Sequence, residues 1–264
     1  MLSGFKASVQ NELNAFFAHL ANQADLLRLV SAQAFSKARR NFSHTAFTRL
    51  NARLLALVDS HWDVPRWHGL RIVAADASKL RLFLQDATGR CMREAIAFAL
   101  YLPGLELTLS AELYSPSVGE RQMLFDHLER LAPNDLLVLD RGYPARWLVA
   151  YLVQQGIQFC MRVDDSGFVA VRDFLHSGLA EAIVTIGAPN RPDCADYTCE
   201  RTPTPVRLVR VVTPNGRIHV VMTSLLDGTQ FPAPGTRSLA RSCRSRCNHR
   251  RARCFRRRTA RNPD

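Results

Sequence analysis

Two largely apolar stretches of the chain, the first without any polar alternation, stop at an aspartate. Leu136-Leu137-Val138-Leu139 leads into Asp140-Arg141-Gly142-Tyr143-Pro144, and Leu70-Arg71-Ile72-Val73-Ala74-Ala75 leads into Asp76-Ala77-Ser78. Runs of this kind predict strands covered on both faces. Gly142 permits a tight turn, and Pro144 suits the first turn of a following helix, where its missing N–H costs nothing. Each aspartate is therefore expected at the carboxyl end of a buried strand, where open α/β sheets place their ligand crevices. An aspartate before a glycine also starts ordinary turns. It is the second occurrence of the pattern that gives the first its weight.

The spacing of apolar residues predicts the surrounding elements. Residues 1–62 read as all-helical: Leu13, Phe16, Phe17 and Leu20 recur at helical intervals, as do Leu26, Leu27 and Val30. Ser31 is placed to cap a helix carrying Ala34, Phe35 and Ala38, and Ser43 another through Phe47, Leu50, Leu54, Leu55 and Val58. Trp62, Pro65 and Trp67 suggest a packed corner before the Asp76 strand. Extended segments then fall over 81–84 and 94–101, with a turn at Pro103-Gly104 and an alternating strand over Leu105–Leu109. A helix opens at Ser117–Glu120, with Leu124, Leu128 and Leu131 on one face. The Asp140 strand, a helix from about Pro144 to Gln155 ended by Gly156, and a buried strand over Phe159–Val163 follow. Val206–Val212 and Ile218–Leu225 flank a hairpin turn at Thr213-Pro214-Asn215-Gly216.

Three strands, a helix, a strand, a helix and a strand are the layout of the ribonuclease-H-like (RNase-H-like) fold. The predicted class is thus α/β, a mixed sheet with flanking helices. The expected organisation is a helical domain over 1–62, the RNase-H-like core over 70–163, a β-rich insertion over 164–231 and an Arg-rich, disordered tail over 232–264.

Charge changes this picture only at the end of the chain. Of 35 Lys and Arg residues 24 lie up to Phe231, with 22 of the 23 acids, so that body carries a balance of only +2. The segment from Pro232 holds the other 11 arginines and one aspartate, which makes most of the net +12 a property of the tail. No apolar run approaches a membrane span and the N-terminus lacks the plan of a signal peptide, so a cytoplasmic protein with no membrane partner is expected. Seven Cys without a CxxC pair do not describe a disulfide framework. Cys160, in an apolar run, reads as core. Cys243, Cys247, His249 and Cys254 could ligate zinc, but their spacing fits no familiar finger and few apolar residues surround them.

Two carboxylates on neighbouring strands repel each other unless a cation lies between them. Their hard oxygens suit Mg²⁺ or Mn²⁺, and carboxylate-held divalent ions are a recurring device for displacement at phosphorus. The two short helices joined near residues 41–43, with Lys37, Arg39 and Arg40 outward, read either as a helix-turn-helix or as the solvated basic face of an ordinary bundle.

Taken together, Val-Ala-Ala-Asp76-Ala-Ser78, Leu-Val-Leu-Asp140-Arg-Gly-Tyr143, Phe-Cys-Met-Arg162 and the helical region from Ser36 to Phe47 resemble bacterial DDE transposases of the insertion-sequence-four family, over about residues 25–231. The resemblance implies transposition of DNA: hydrolysis at the ends of an insertion sequence, then attack of the freed 3′-hydroxyl on target DNA. It also implies Mg²⁺ (or Mn²⁺) as cofactor, double-stranded DNA as partner, at element terminal repeats and target, and a homodimer as the working form. It makes Asp76 and Asp140 catalytic metal ligands, sets Arg162 against DNA near the site, and has Arg141 and Tyr143 shape the pocket. A packed aromatic accounts for Tyr143 equally well, and an ion pair with Asp164 or Asp165 for Arg162.

The family's third ligand is a Glu in a Tyr-x2-Arg-x3-Glu-x6-Lys helix, and this chain departs from the pattern there. No acid lies between Pro232 and Pro263, and the last Glu is Glu200. Arg, Pro, Ala, Ser and Cys are what a GC-rich gene gives when read out of frame, so a frameshift near Pro232–Pro234 is the expectation, with a genuine basic tail as the alternative. Asp227 lies on the approach but in a turn, with no helix to aim it. The chain is therefore expected to descend from a transposase but to be catalytically incomplete. The alternatives are a non-catalytic DNA-binding protein that inhibits transposition at element ends, and a stand-alone metal nuclease.

Overall fold

In the computed structural model, residues 8–83 and 92–236 are described, apart from 24, 26, 44, 214 and 234. The chain divides into two compact units, Met1–Ser60 and His61–Asp264. The first holds α1 (Val9–Leu20), α2 (Ala32–Arg40) and α3 (Thr45–His61), the last ending one residue beyond it. Ser8 and Ser31 cap α1 and α2 by accepting from Asn11 N–H and Ala34 N–H, and Ser43 Oγ accepts from Thr45 N–H ahead of α3. Leu27 and Val30 lie outside any helix, against the periodic reading, and Leu26 is outside the described residues. Three apolar residues are too few to sustain a helix of their own. The Gln10 side chain instead binds the segment's main chain, donating to Val30 O and accepting from Ala32 N–H, both at 2.9 Å.

The second unit is built on one nine-stranded sheet. In chain order its elements are β1 (Arg66–Trp67), β2 (Leu70–Phe83), β3 (Met92–Leu102), β4 (Leu107–Tyr114), α4 (Glu120–Phe125), β5 (Asp135–Leu139), α5 (Arg146–Gln154), β6 (Gln158–Val163), α6 (Val169–Ser177), β7 (Glu181–Ile186), α7 (Arg191–Tyr197), β8 (Thr204–Val212) and β9 (Ile218–Thr223). The strand order is β4-β3-β2-β5-β6-β9-β8-β7, with β1 beside β2. β2, β3 and β4 are antiparallel neighbours, while β5 and β6 join parallel, as in the RNase-H-like fold. β9 adds antiparallel to β6, so the later strands extend the same sheet. The stretch over 164–231 supplies three strands and also two helices, α6 and α7. The helix expected to reach Leu131 ends at Phe125, and Leu128–Arg130 form a single 3₁₀ turn.

Alternation along the strands sorts the residues into two faces. Val73, Leu137, Leu139, Phe159 and Met161 face one side, and α5 packs over β6 and β8 with Leu148 and Leu152 fully buried. Ile72, Val138, Cys160, Val209 and Val221 face the other, packed with Leu225, Phe231 and Trp67. Trp67 stacks on Phe231 at 5.6 Å between centroids, and a helical turn begins at Pro232–Thr236 with Gly235 against the Trp67 ring. The rest of the basic segment, from residue 237, and with it Cys243, Cys247, His249 and Cys254, lies outside the described residues. Cys160 is core, as expected. Among the described residues no helix is long and apolar enough to cross a membrane.

Two buried charges fix this sheet. Arg71 Nε and Nη2 donate to Asp135 Oδ1 and Oδ2 at 2.7 and 2.9 Å, and Asp135 Oδ2 also accepts from Ala132 N–H at 2.8 Å. At the far end Arg207, also buried, pairs with Glu181 and donates to Phe231 O at 2.7 Å, tying the segment after β9 to the sheet. Asp135 is 1% exposed, so Arg71→Ala leaves a buried carboxylate without its partner, at a cost of about 3–5 kcal/mol. The double replacement Arg71→Met with Asp135→Leu is expected to cost less than either single change, measured by urea denaturation.

His127 sits buried beneath β4, sharing a 2.6 Å hydrogen bond between Nδ1 and Ser110 Oγ. Burial holds its pKa below the usual 6.5, against the opposing pull of Glu112 and Asp126. The unfolded chain therefore takes up the proton first. Stability is full above pH 6.5, and falls as the pH drops below that value until the folded imidazole is itself protonated. Urea midpoints between pH 7.5 and 5 should show this slope, and His127→Gln should flatten it.

Candidate active site

The position of the two aspartates follows from strand register. Every partner pair of β2 and β5, from Arg71↔Asp135 to Ala74↔Val138, is separated by 64 residues. Asp76 and Asp140 keep the same separation, two places beyond the last of those pairs; that register, continued past the end of β5 at Leu139, would set them level and on one face. Asp76 is not at a strand end, as expected from the sequence, but in the middle of β2. β3 carries β2 onward, pairing Asp76 with Ala99, after β5 has stopped at Leu139. Asp140 directly follows β5, every residue of which is buried, and is itself exposed. Neighbouring strands lie about 4.8 Å apart, the separation that a continued register would give the two residues.

The row continues into β6. Partner pairs of β5 and β6 are 22 residues apart, which sets Arg162 beside Asp140. Arg162 Nη1 donates to Asp140 Oδ1 at 3.2 Å, with 11% of the Arg162 side chain and 69% of the Asp140 side chain exposed. Asp164, one of the two alternative partners, instead accepts from Ser166 N–H and Oγ. Tyr143 is buried and anchors the loop after Asp140, whereas Arg141 is exposed. Lys37, Arg39 and Arg40 lie exposed on the last turn of α2, in the other unit, where their charge complements the helix dipole. Lys37 and Arg40 line, with Ala32, Gln33 and Ser36, a groove of about 320 Å³. Arg39 lies 6.0 Å over the Phe35 ring.

The donor chemistry fits a hard divalent cation, because Mg²⁺ is commonly held by one or two carboxylates with water or phosphate oxygens completing its shell. A third protein ligand is missing from this set. Among the described residues no group of three or more His, Cys, Asp or Glu could hold a metal. Asp227 Oδ1 is engaged by Thr229 N–H, Thr229 Oγ1 and Gln230 N–H, and these bonds to the charged form hold its pKa low. Glu181 falls on the same register row, but four strands away from Asp140 and paired with Arg207. That is about 20 Å at ordinary strand spacing.

Two residues that sequence reasoning missed border the Asp140 loop, and one of them bonds to it. Arg121, in the first turn of α4, donates from Nε to Tyr143 O and from Nη2 to Pro144 O, both at 3.0 Å. Its neighbour Glu120 lies over Gly142, where a Cβ would stand 2.6 Å from Oε2. Their partners here are backbone and a glycine, so side-chain pattern alone gave no signal for them.

No protein-family pattern matches the chain, and no curated protein matches it in sequence. Among solved structures, a piggyBac transposase synaptic complex with hairpin DNA is similar at 9% identity and a TM-score of 0.39, over 67% of this chain and 40% of that one. Likeness at that level identifies neither a family nor an activity.

The Asp140–Arg162 pair is largely exposed on its acidic side, so breaking it costs little fold stability. Asp140→Asn should shift unfolding by less than about 1 kcal/mol, measured by chemical denaturation, in contrast to the Arg71 variant.

Proposed function

We propose that the second unit carries the centre of a DDE-type DNA transposase, in which Asp76 and Asp140 hold Mg²⁺ or Mn²⁺ against a scissile phosphodiester. The observation that supports this reading is the parallel register of β2 and β5, whose 64-residue offset Asp76 and Asp140 share just beyond the last paired residues. When bound, the cation would polarise the phosphoryl oxygen and stabilise the charge that develops there. Arg162, next in the row, is suited to a phosphate oxygen: its guanidinium neutralises Asp140 until an anion or a cation changes the balance. Arg141 contributes positive charge at the mouth of the site, and Tyr143 holds the loop from below. The substrate in this reading is double-stranded DNA, at the terminal repeats of an insertion sequence and at its target, with two copies of the chain joining the ends. The helical unit over 1–62 would bind DNA through Lys37, Arg39 and Arg40.

One specific observation favours a second reading. With two carboxylates and, among the described residues, no third acid to complete the set, the chain as it stands is expected to bind DNA without carrying the reaction through, and so to inhibit transposition by occupying element ends. The two readings separate in a strand-transfer assay on DNA carrying the element ends, with Mg²⁺ or Mn²⁺. Binding without joining fits the incomplete set. Joined product abolished by Asp76→Asn makes the chain a working transposase, and the absence of any DNA binding removes both readings.

Arg162 gives a further test. Arg162→Gln removes a cation 3.2 Å from a ligand carboxylate, so it should tighten Mn²⁺ binding while weakening DNA binding and lowering its salt dependence. Titrations of each ligand separately check the two signs.

A further inference from the structure

We infer that Arg121 is the positioning residue that aims the Asp140 carboxylate at its cation, an inference that rests on the metal-binding reading of Asp76 and Asp140. Asp76 is held in the middle of a ladder, paired with β3. Asp140 has no such support, because the last paired residue of β5 is Leu139. Beyond it the main chain closes a turn through Tyr143 N–H to Asp140 O at 3.3 Å. Two like carboxylates share an ion only if both are held to within about 0.5 Å, so a loop-borne ligand needs a rigid outside anchor.

The first turn of α4 provides one. The Arg121 guanidinium spans two successive carbonyls, Tyr143 O and Pro144 O, from the planar fork that only arginine presents. Glu120 adjoins the same loop at Gly142, so α4 meets three consecutive loop residues with two consecutive side chains. The anchor is itself fixed. Met123 and Leu124 are fully buried, and Gln122 Oε1 accepts from Tyr197 Oη at 3.3 Å, while the Tyr197 ring stacks on Trp147 at 3.5 Å. Arg121 touches neither aspartate in this arrangement. It acts through the loop.

The sign of the effect separates positioning from charge. Losing a nearby positive charge would by itself tighten cation binding. Losing the clamp should weaken it, by about tenfold or more, as supporting residues around metal ligands commonly do. The test titrates the full chain with Mn²⁺ alone, following free Mn²⁺ by electron paramagnetic resonance, for wild type, Arg121→Gln and Arg121→Lys, with the thermal midpoint of each recorded. Weaker binding in Arg121→Gln at an unshifted midpoint is expected, with Arg121→Lys, which can make one of the two bonds, in between. Should Arg121→Gln not fold, Arg121→Lys carries the test. Wild-type or tighter affinity in the folded variants overturns the positioning role and leaves the aspartate pair intact. A wild-type chain that binds no Mn²⁺ overturns both together.

Discussion

The site depends on the register of two parallel strands, and one buried ion pair pins that register. Arg71 and Asp135 are themselves partners in the β2–β5 ladder, joined by two hydrogen bonds. A slip of one residue would turn every side chain of one strand to the other face and would also leave the buried Asp135 carboxylate without its partner. With that pair in place, the register continued five residues along β2 and just past the end of β5 leads to Asp76 and Asp140, on the opposite face. The ion pair thus specifies the placement of the carboxylates without touching them.

The same geometry explains why the two aspartates differ. β2 passes the level of Asp76 and continues as a long ribbon with β3, whereas β5 stops and releases Asp140 into a loop. Asp76 is held by a ladder and Asp140 by what packs around its turn: the buried Tyr143, Arg121 and Glu120 from α4, and Arg162 from the next strand. Beyond the sheet, Trp67, Phe231 and the turn at Pro232–Thr236 pack on the face that carries both aspartates. The sequence beyond Thr236 contains no acid until Asp264.

Much of this was legible in the sequence because the two apolar runs are strong signals. The buried β5 that Asp140 follows, the buried β6, α5 and its glycine stop, and the final hairpin followed from patterns that local physics enforces. The level of Asp76 within β2 was not legible, since Ala77 and Ser78 break an apolar run without breaking a strand that has a partner. The Leu26–Val30 segment failed for the converse reason: helical spacing over too short a stretch, with Gln10 supplying the main-chain bonds. One readable signal was overlooked. Arg71 precedes Asp76 by five residues as Asp135 precedes Asp140, so opposite charges stand at equivalent places in the two runs, and aligning the runs would have exposed both the ion pair and the register. Arg121 could not have been found this way, because it binds carbonyls, which carry no mark in the sequence.

Convergence of Asp76 and Asp140 on a shared ion is most directly measured by paramagnetic broadening of amide resonances with Mn²⁺. A single shared site requires that the signals of Ala75–Ala77 and of Leu139–Arg141 broaden together at the same Mn²⁺ concentration, and that Asp76→Asn abolish both effects at once. Broadening confined to one of the two segments, or persisting at the Asp140 loop after Asp76→Asn, would show that the carboxylates do not share an ion.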